Sequence, residues 1–256
     1  MKRISAFLSH KTGYEVVTYL LKDEKSRLNL IFLKSKDDFW SKKIYEYLIS
    51  KDFDKKNIFF GKDEWERVYT KHQSSKIVLT VYWPWILPKN AYEFSDVTCN
   101  FHPALLPLNR GWYPHVYNLI NGSTPGVSLH ELAEGADTGK ILAQKAVHLR
   151  PTDTAYEIYL RLQLEIVDLF YDNWSLIRDK KIKSFKQDNL ASSYNSKSEI
   201  EKLDFINLDE ICKTSDLLNK LRARSFGKRG FAYSIQDGRK IFYRIQLSET
   251  SNFDTE

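Results

Sequence analysis

Two apolar rhythms run along this chain. Residues 4–8, 28–33 and 77–82 are short, mostly apolar runs rich in β-branched and aromatic side chains. Such runs suit strands buried on both faces of a parallel sheet. Between them, residues 14–21 and 40–49 carry apolar positions at helical spacing. Residues 9–13 read as the turn after the first strand, and 58–60 as a short strand or turn leading to a helix near Trp65. Beyond residue 82, Pro84 and Pro88 forbid regular structure and force an ordered loop. Residues 114–121 then predict a helix stopped by Gly122, 126–132 an alternating strand, and 141–147 another strand. Asp153 or Thr154 can cap a long helix reaching to about Ile177, with Ile158, Leu162, Ile166 and Phe170 on one face.

Strands alternating with helices predict an α/β fold: a Rossmann-like open, mostly parallel sheet flanked by helices. Composition turns polar over residues 180–198, which places a boundary between a domain of residues 1–185 and an appendage of residues 186–256. The appendage reads as a short helix, 216–221, and a β-hairpin of 231–235 and 240–245 with Asp237-Gly238 as its turn.

Composition narrows this picture modestly. With 256 residues, 42% of them apolar and 14% aromatic, the chain can bury one large core with a small addition. Two cysteines, Cys99 and Cys212, do not make a disulfide framework and suit a reducing cytosol. No metal-ligand spacing involves either. The first apolar run is too short for a secretory signal, and residues 77–88 are broken by Pro84, below the roughly 18 residues a spanning helix needs. A cytoplasmic protein with no membrane contact is expected. The net charge of +6 favours anionic small molecules or nucleic acid without choosing between them. Gly13 stands alone after the first strand, so the glycine-rich dinucleotide fingerprint is missing, which argues against a nicotinamide enzyme.

The candidate chemistry lies in residues 99–111. At strand period the side chains of Asn100 and His102 point the same way, and Pro103 ends the strand. Ligands of α/β sheets bind at the carboxyl ends of strands. Asp137 follows 35 positions after His102, in a loop flanked by Gly135 and Gly139. An amide, an imidazole and a carboxylate suit acyl or one-carbon transfer: the amide stabilises an oxyanion, the imidazole handles a proton, and the carboxylate orients or charges the imidazole. No serine or cysteine is placed as a nucleophile, since Cys99 alternates out of phase with the pair. Direct attack by a substrate amine is the simpler scheme. The competing reading is a capped strand end and an Asx turn.

Asn100-Phe101-His102-Pro103, Leu105-Leu106-Pro107 and Asn109-Arg110-Gly111 resemble the central motif of formyltransferases that use 10-formyltetrahydrofolate. Gly126-Val127-Ser128-Leu129-His130 and Gly135-Ala136-Asp137-Thr138-Gly139, with Gln144, resemble the companion motif. The resemblance is close over residues 77–165 and implies the formyltransferase fold. It implies that Asn100 binds the formyl oxygen, that His102 acts in proton transfer, and that Asp137 keeps His102 charged or oriented. It also implies a pterin cradle of backbone groups from Tyr82, Trp83, Trp85, Ile86 and Leu87 and from Glu134, Gly135, Ala136 and Asp137. Trp83 and Trp85 read equally well as packing beside prolines. Asn109, Arg110, Gly111 and Trp112 are candidates for acceptor contact, and His10 and Lys11, in the loop after the first strand, for a diphosphate. His130 reads as structural, and His72, His115 and His148 carry no assignment.

Length and tail choose among three resembling groups. Glycinamide ribonucleotide formyltransferases end near the long helix, and methionyl-tRNA formyltransferases carry a larger basic barrel. Residues 191–256 hold 11 Lys and Arg against 10 Asp and Glu, a poor balance for binding nucleic acid. The sugar N-formyltransferases combine this core with a small helix-and-hairpin tail. The resemblance therefore implies formyl transfer from 10-formyltetrahydrofolate, without a metal, to the amine of a nucleotide-linked amino deoxysugar. A dTDP-linked sugar made for O-antigen or another surface glycan is expected. The alternative is a methionyl-tRNA formyltransferase with a reduced tail. Residues 213–244 hold nine basic residues against two acidic ones and read as a solvated face. The aromatic hairpin is a candidate homodimer surface.

Overall fold

The computed structural model describes residues 2–23, 26–69 and 75–249; His72 lies outside the described residues. Seven strands form the main sheet: β1 (Lys2–Leu8), β2 (Ser26–Leu33), β3 (Ile58–Phe60), β4 (Ile77–Val81), β5 (Val97–His102), β7 (Gly126–His130) and β8 (Ile141–Ala146). Between β5 and β7 comes the two-residue β6 (Arg110–Gly111), outside that sheet. The strand order is β3-β2-β1-β4-β5-β7-β8. The first five run parallel, β7 opposes β5, and β8 opposes β7. The fold is thus the expected mostly parallel α/β sheet. Strand order reverses between β1 and β4, so a crevice opens beyond their carboxyl ends.

Side-chain alternation sorts the two faces. Ile4, Ala6 and Leu8 of β1 join the larger apolar cluster, whereas Phe7 joins a smaller one with Leu30, Phe32, Val78 and Leu87. Over the larger cluster pack α1 (His10–Lys22), α2 (Phe39–Ser50), α4 (Pro114–Asn121) and α5 (Ala155–Arg178). Helix α3 (Lys62–Tyr69) follows β3. Helix α5 starts in a capping box of Thr154 and Glu157 and buries Ile158, Leu162, Ile166, Phe170 and Trp174. Its far end is tied to the end of α1. Trp174 Nε1 and Arg178 Nη1 donate to Asp23 at 2.7 and 2.8 Å.

One boundary differs from expectation in a way that moves two candidate residues. Helix α1 begins at His10, so His10 and Lys11 form its first turn rather than a loop. Gly13 suggested a turn, but it lies inside the helix, where a Cβ would stand 3.2 Å from Leu8. Its missing side chain serves close helix–strand packing, not chain reversal.

The segment after α5 returns to the edge strand β8 and then to β6. Phe185 bridges Ile141, and β9 (Tyr194–Asn195) runs parallel to β6. Then come α6 (Thr214–Ala223), the small pair β10 (Ser225–Phe226) and β11 (Arg229–Gly230), and the hairpin of β12 (Ala232–Gln236) and β13 (Arg239–Tyr243). Asp237 and Gly238 make its turn with φ of 49° and 72°, the double left-handed geometry that Asp-Gly favours. Among the described residues no helix is long and apolar enough to cross a membrane.

His115, on α4, sits among the rings of Tyr113, Tyr159 and Phe226. Burial, helped by the Arg224 charge, lowers its pKa to about 4. The unfolded chain therefore binds this proton more readily than the folded one, and the stabilisation is complete above the ordinary histidine value. Between about pH 6.5 and 4 His115 should remove up to about 1.4 kcal/mol of stability per pH unit as pH falls. Urea unfolding of His115→Phe across that range should show a shallower pH slope than the unsubstituted protein.

Candidate active site

Period two at the end of β5 delivers the expected pair. Cys99 and Phe101 turn into the larger core, and Asn100 and His102 turn the other way toward the loop between β7 and β8. Antiparallel pairing sets His130, the last residue of β7, directly beside Asn100. The loop after it bears Asp137 at φ 56°, and Asp137 reaches both members of the pair.

Each polar atom of Asn100 is engaged. Its Oδ1 accepts from Thr80 Oγ1 at 2.5 Å, while its Nδ2 donates to His130 Nε2 at 2.8 Å and to Asp137 Oδ1 at 3.1 Å. His130 donates from Nδ1 to the Glu131 carbonyl at 2.8 Å, leaving Nε2 to accept. His102 Nε2 must carry a hydrogen, because it faces the Asn109 carbonyl at 2.8 Å. Its Nδ1 lies 3.4 Å from Asp137 Oδ2, and that oxygen also accepts from the Gly111 N–H at 2.9 Å.

Burial acts oppositely on the two members of the dyad. It pushes the Asp137 carboxyl up, but His102, His130 and the Gly111 N–H outweigh it and hold that group well below the usual carboxylate range. Burial lowers His102, against the pull of Asp137 and the Asn109 carbonyl. A carboxylate beside a neutral imidazole results, with an open proton position at Nδ1. The cluster can take up one proton at Nδ1 beside Asp137 and can present an amide donor.

The other expected site residues divide. In the loop after β4, Tyr82 has φ 51° and a hydroxyl buried without a partner, and burial drives its pKa far up. Trp83 packs edge-on against Phe7 of the smaller cluster and against Trp85, and its Nε1 is buried without a partner among the described residues. Leu87 is a core residue and Ile86 projects outward. The backbone groups of residues 83–87 make no hydrogen bonds within the described protein. Glu134 pairs with Lys89 at the surface, and Gly135 and Ala136 lead into Asp137.

Asn109 and Arg110, expected to face an acceptor, bond within the protein. Both side chains are buried. Asn109 meets Ser123 and Asn195, and Arg110 meets Gln187 and Asn189. Gly111 instead gives its N–H to Asp137, and a Cβ there would stand 2.5 Å from the Asn195 carbonyl. Trp112 is open to solvent with Lys197 Nζ 5.3 Å from its ring. His10 lies against Tyr82, with ring centroids 5.3 Å apart; burial lowers its pKa, and its Nδ1 has no partner. From sequence His130 reads as structural, and Thr80 and Gln187 were not singled out. Only the antiparallel register, which local pattern does not reveal, brings His130 to Asn100.

A family model described as Formyl transferase matches residues 20–171, and one described as N-formyltransferase dimerization C-terminal domain matches residues 199–249. The chain belongs to the formyl transferase family.

Within that family, a dTDP-4-amino-4,6-dideoxyglucose formyltransferase of Mycobacterium tuberculosis is 32% identical over 149 residues, 58% of this chain. A methionyl-tRNA formyltransferase of Coxiella burnetii is 28% identical over 198 residues, 77% of this chain. The matched spans are 63% and 62% of those relatives' own lengths, under two thirds of each. Among solved structures, an N-formyltransferase of Helicobacter canadensis in complex with folinic acid and dTDP-3-aminofucose shares the fold with a TM-score of 0.73. It is 23% identical, over 100% of this chain and 90% of that one.

The dyad's electrostatics can be read directly by titrating the His102 ring with NMR. Its midpoint should fall below 6.5, and Asp137→Asn, which removes the charge that raises it, should lower it further. A midpoint that rose in Asp137→Asn would contradict the assignment.

Proposed function

We propose that this chain transfers the formyl group of 10-formyltetrahydrofolate to the amine of a nucleotide-linked amino deoxysugar, in the cytoplasm. The observation that carries the reading is the joining of Asn100, His102 and Asp137 at one strand end, with Cys99 turned away into the core. Without a protein nucleophile in the cluster, the acceptor amine itself attacks the formyl carbon. Negative charge then builds on the formyl oxygen, where an Asn100 N–H can stabilise it. Both N–H groups of Asn100 are held by His130 and Asp137, so the formyl oxygen takes over one of those bonds. The proton released by the amine passes to the open Nδ1 of His102, and Asp137 stabilises the resulting imidazolium; as the tetrahedral intermediate collapses, the bond from the formyl carbon to N10 of the folate breaks, and that proton leaves on N10 of the departing tetrahydrofolate.

The loop after β4 fits a pterin. Unused backbone groups at residues 83–87 and the unpartnered Trp83 Nε1 match an edge of alternating donors and acceptors. The Helicobacter canadensis structure, bound to folinic acid and dTDP-3-aminofucose, supports folate and a dTDP-sugar as the two ligands. At the crevice by β1, His10 and Lys11 begin α1 with no acidic residue in its first turn, which favours the sugar nucleotide's phosphates there.

The Coxiella burnetii relative favours initiator tRNA as a second acceptor. The tail argues against it. Lys220 donates to the Phe205 carbonyl, Arg222 to the Asp153 carbonyl, and Arg224 pairs with Asp204, so much of the local positive charge is used within the fold. Ile235 and Phe242 share one face of the hairpin, are both exposed, and suit a second copy of the chain. A formylated deoxysugar of this kind would serve an O-antigen or other surface glycan.

Incubation with 10-formyltetrahydrofolate and dTDP-linked 3-amino or 4-amino deoxysugars should give a formylated product by mass spectrometry. His102→Ala and Asp137→Ala should each lose about 100-fold or more in turnover while remaining folded. Formylation of charged initiator tRNA with inert amino sugars would move the assignment to the second acceptor. Undiminished turnover in both variants would sink the catalytic roles.

A further inference from the structure

Gln187 lies in the polar stretch that reads in sequence as a domain boundary, yet all four hydrogen-bonding positions of its amide are filled by the protein around the cluster. Its Oε1 accepts from Arg110 Nε at 3.0 Å and Nη2 at 2.7 Å. Its Nε2 donates to the carbonyls of Asp137 and Gly139, each at 2.7 Å. No valence remains for a ligand. The amide can face only one way. Turned over, its NH2 would meet guanidinium N–H groups and its oxygen would meet two carbonyl oxygens.

Asp137 needs such a holder. It occupies left-handed backbone at φ 56°, uncommon outside glycine, and its carboxylate must serve Asn100, Gly111 and His102 together. Gln187 grips the loop at the carbonyl of Asp137 itself and again two residues later. On its other side it grips Arg110, whose neighbour Gly111 supplies the N–H that binds Asp137 Oδ2. Arg110 is 8% exposed, and among the described residues no carboxylate lies within ion-pair distance of it. The Gln187 and Asn189 side-chain oxygens are what it has.

We propose that Gln187 is a positioning residue for formyl transfer, a neutral bracket that fixes the Asp137 loop against the Arg110–Gly111 strand and so sets the carboxylate against His102. This rests on the formyl-transfer reading above. Neutrality matters because the two sides of the bracket have opposite polarity. A glutamate of the same shape would suit Arg110 better and would oppose the two carbonyls.

That asymmetry separates positioning from simple packing. Gln187→Glu should keep a thermal midpoint near that of the unsubstituted protein, because it supplies Arg110 with a carboxylate. Its kcat should nevertheless fall about tenfold or more, with both KM values changed less than about threefold, since small misplacement of a catalytic group is costly. Gln187→Met keeps the length and loses all four bonds; it should also lose kcat, and it carries the test if Gln187→Glu does not fold. The imidazole nitrogen NMR shifts of His102, measured without substrates, should move in both variants. A kcat that tracks thermal stability across the two, or His102 signals unchanged in both, would overturn the proposal. If the unsubstituted protein formylates no acceptor, the formyl-transfer reading fails instead, and the His102 shifts still decide whether Gln187 positions the dyad.

Discussion

Asp137 brings a carboxylate to a place where its side chain is only 14% exposed, and a charge there is tolerable only when donors surround it. Much of the architecture at the sheet's carboxyl end answers that demand. The Gly111 N–H and the Asn100 amide donate to it, and two imidazoles stand within 3.4 Å. Glycine at two positions makes this geometry accessible. A Cβ on Gly139 would collide with the Glu131 carbonyl, so the loop returns to β8 only because that atom is missing. A Cβ on Gly111 would meet Asn195 and Tyr194, so only glycine lets β6 and β9 lie together with its N–H aimed at Asp137.

The same demand explains why the His102 imidazole beside the carboxylate is not permanently charged. Burial of His102 works against the field of Asp137, and the Arg110 charge adds to burial's side. An exposed histidine beside the same carboxylate would hold its proton at neutral pH and have none to accept. Embedding the ring keeps Nδ1 open until an amine must be relieved of a proton. Structure and chemistry meet in that balance.

Local pattern exposed the pair on β5 and the glycine-flanked carboxylate, because side-chain alternation and the punctuation by Pro103, Gly135 and Gly139 act within a few residues. It also placed the long helix and the Asp237-Gly238 hairpin closely. What it did not expose was long-range. His130 looked structural because its meeting with Asn100 depends on antiparallel register across 30 positions. Residues 180–198 read as a domain boundary because their polarity resembles solvent-facing chain. Those polar side chains are the attachment itself, with Gln187, Asn189, Ser193 and Asn195 all bonded to residues 107–111 or the Asp137 loop. Asn109 and Arg110 were placed at the acceptor for the converse reason. Apart from Ser123, their partners lie about 80 positions downstream, where sequence spacing shows nothing.

The basic tail shows how far a charge count reaches. Nine cationic residues against two anionic ones over 32 positions would suggest a polyanion partner if they stood free on one face. Several do not. Arg222 donates to two carbonyls beyond α6, Arg224 holds Asp204 and lies over Phe231, and Arg229 and Lys240 lie over aromatic rings. Arg222 joins the small, aromatic tail to the capping turn of α5, and the other cations tie the tail to itself, where hydrophobic burial alone offers little area. A guanidinium used in this way is already hydrogen-bonded in fixed geometry, and a phosphate backbone would have to displace those bonds to recruit it. Placement, rather than sign or number, decides what a charged segment is free to bind.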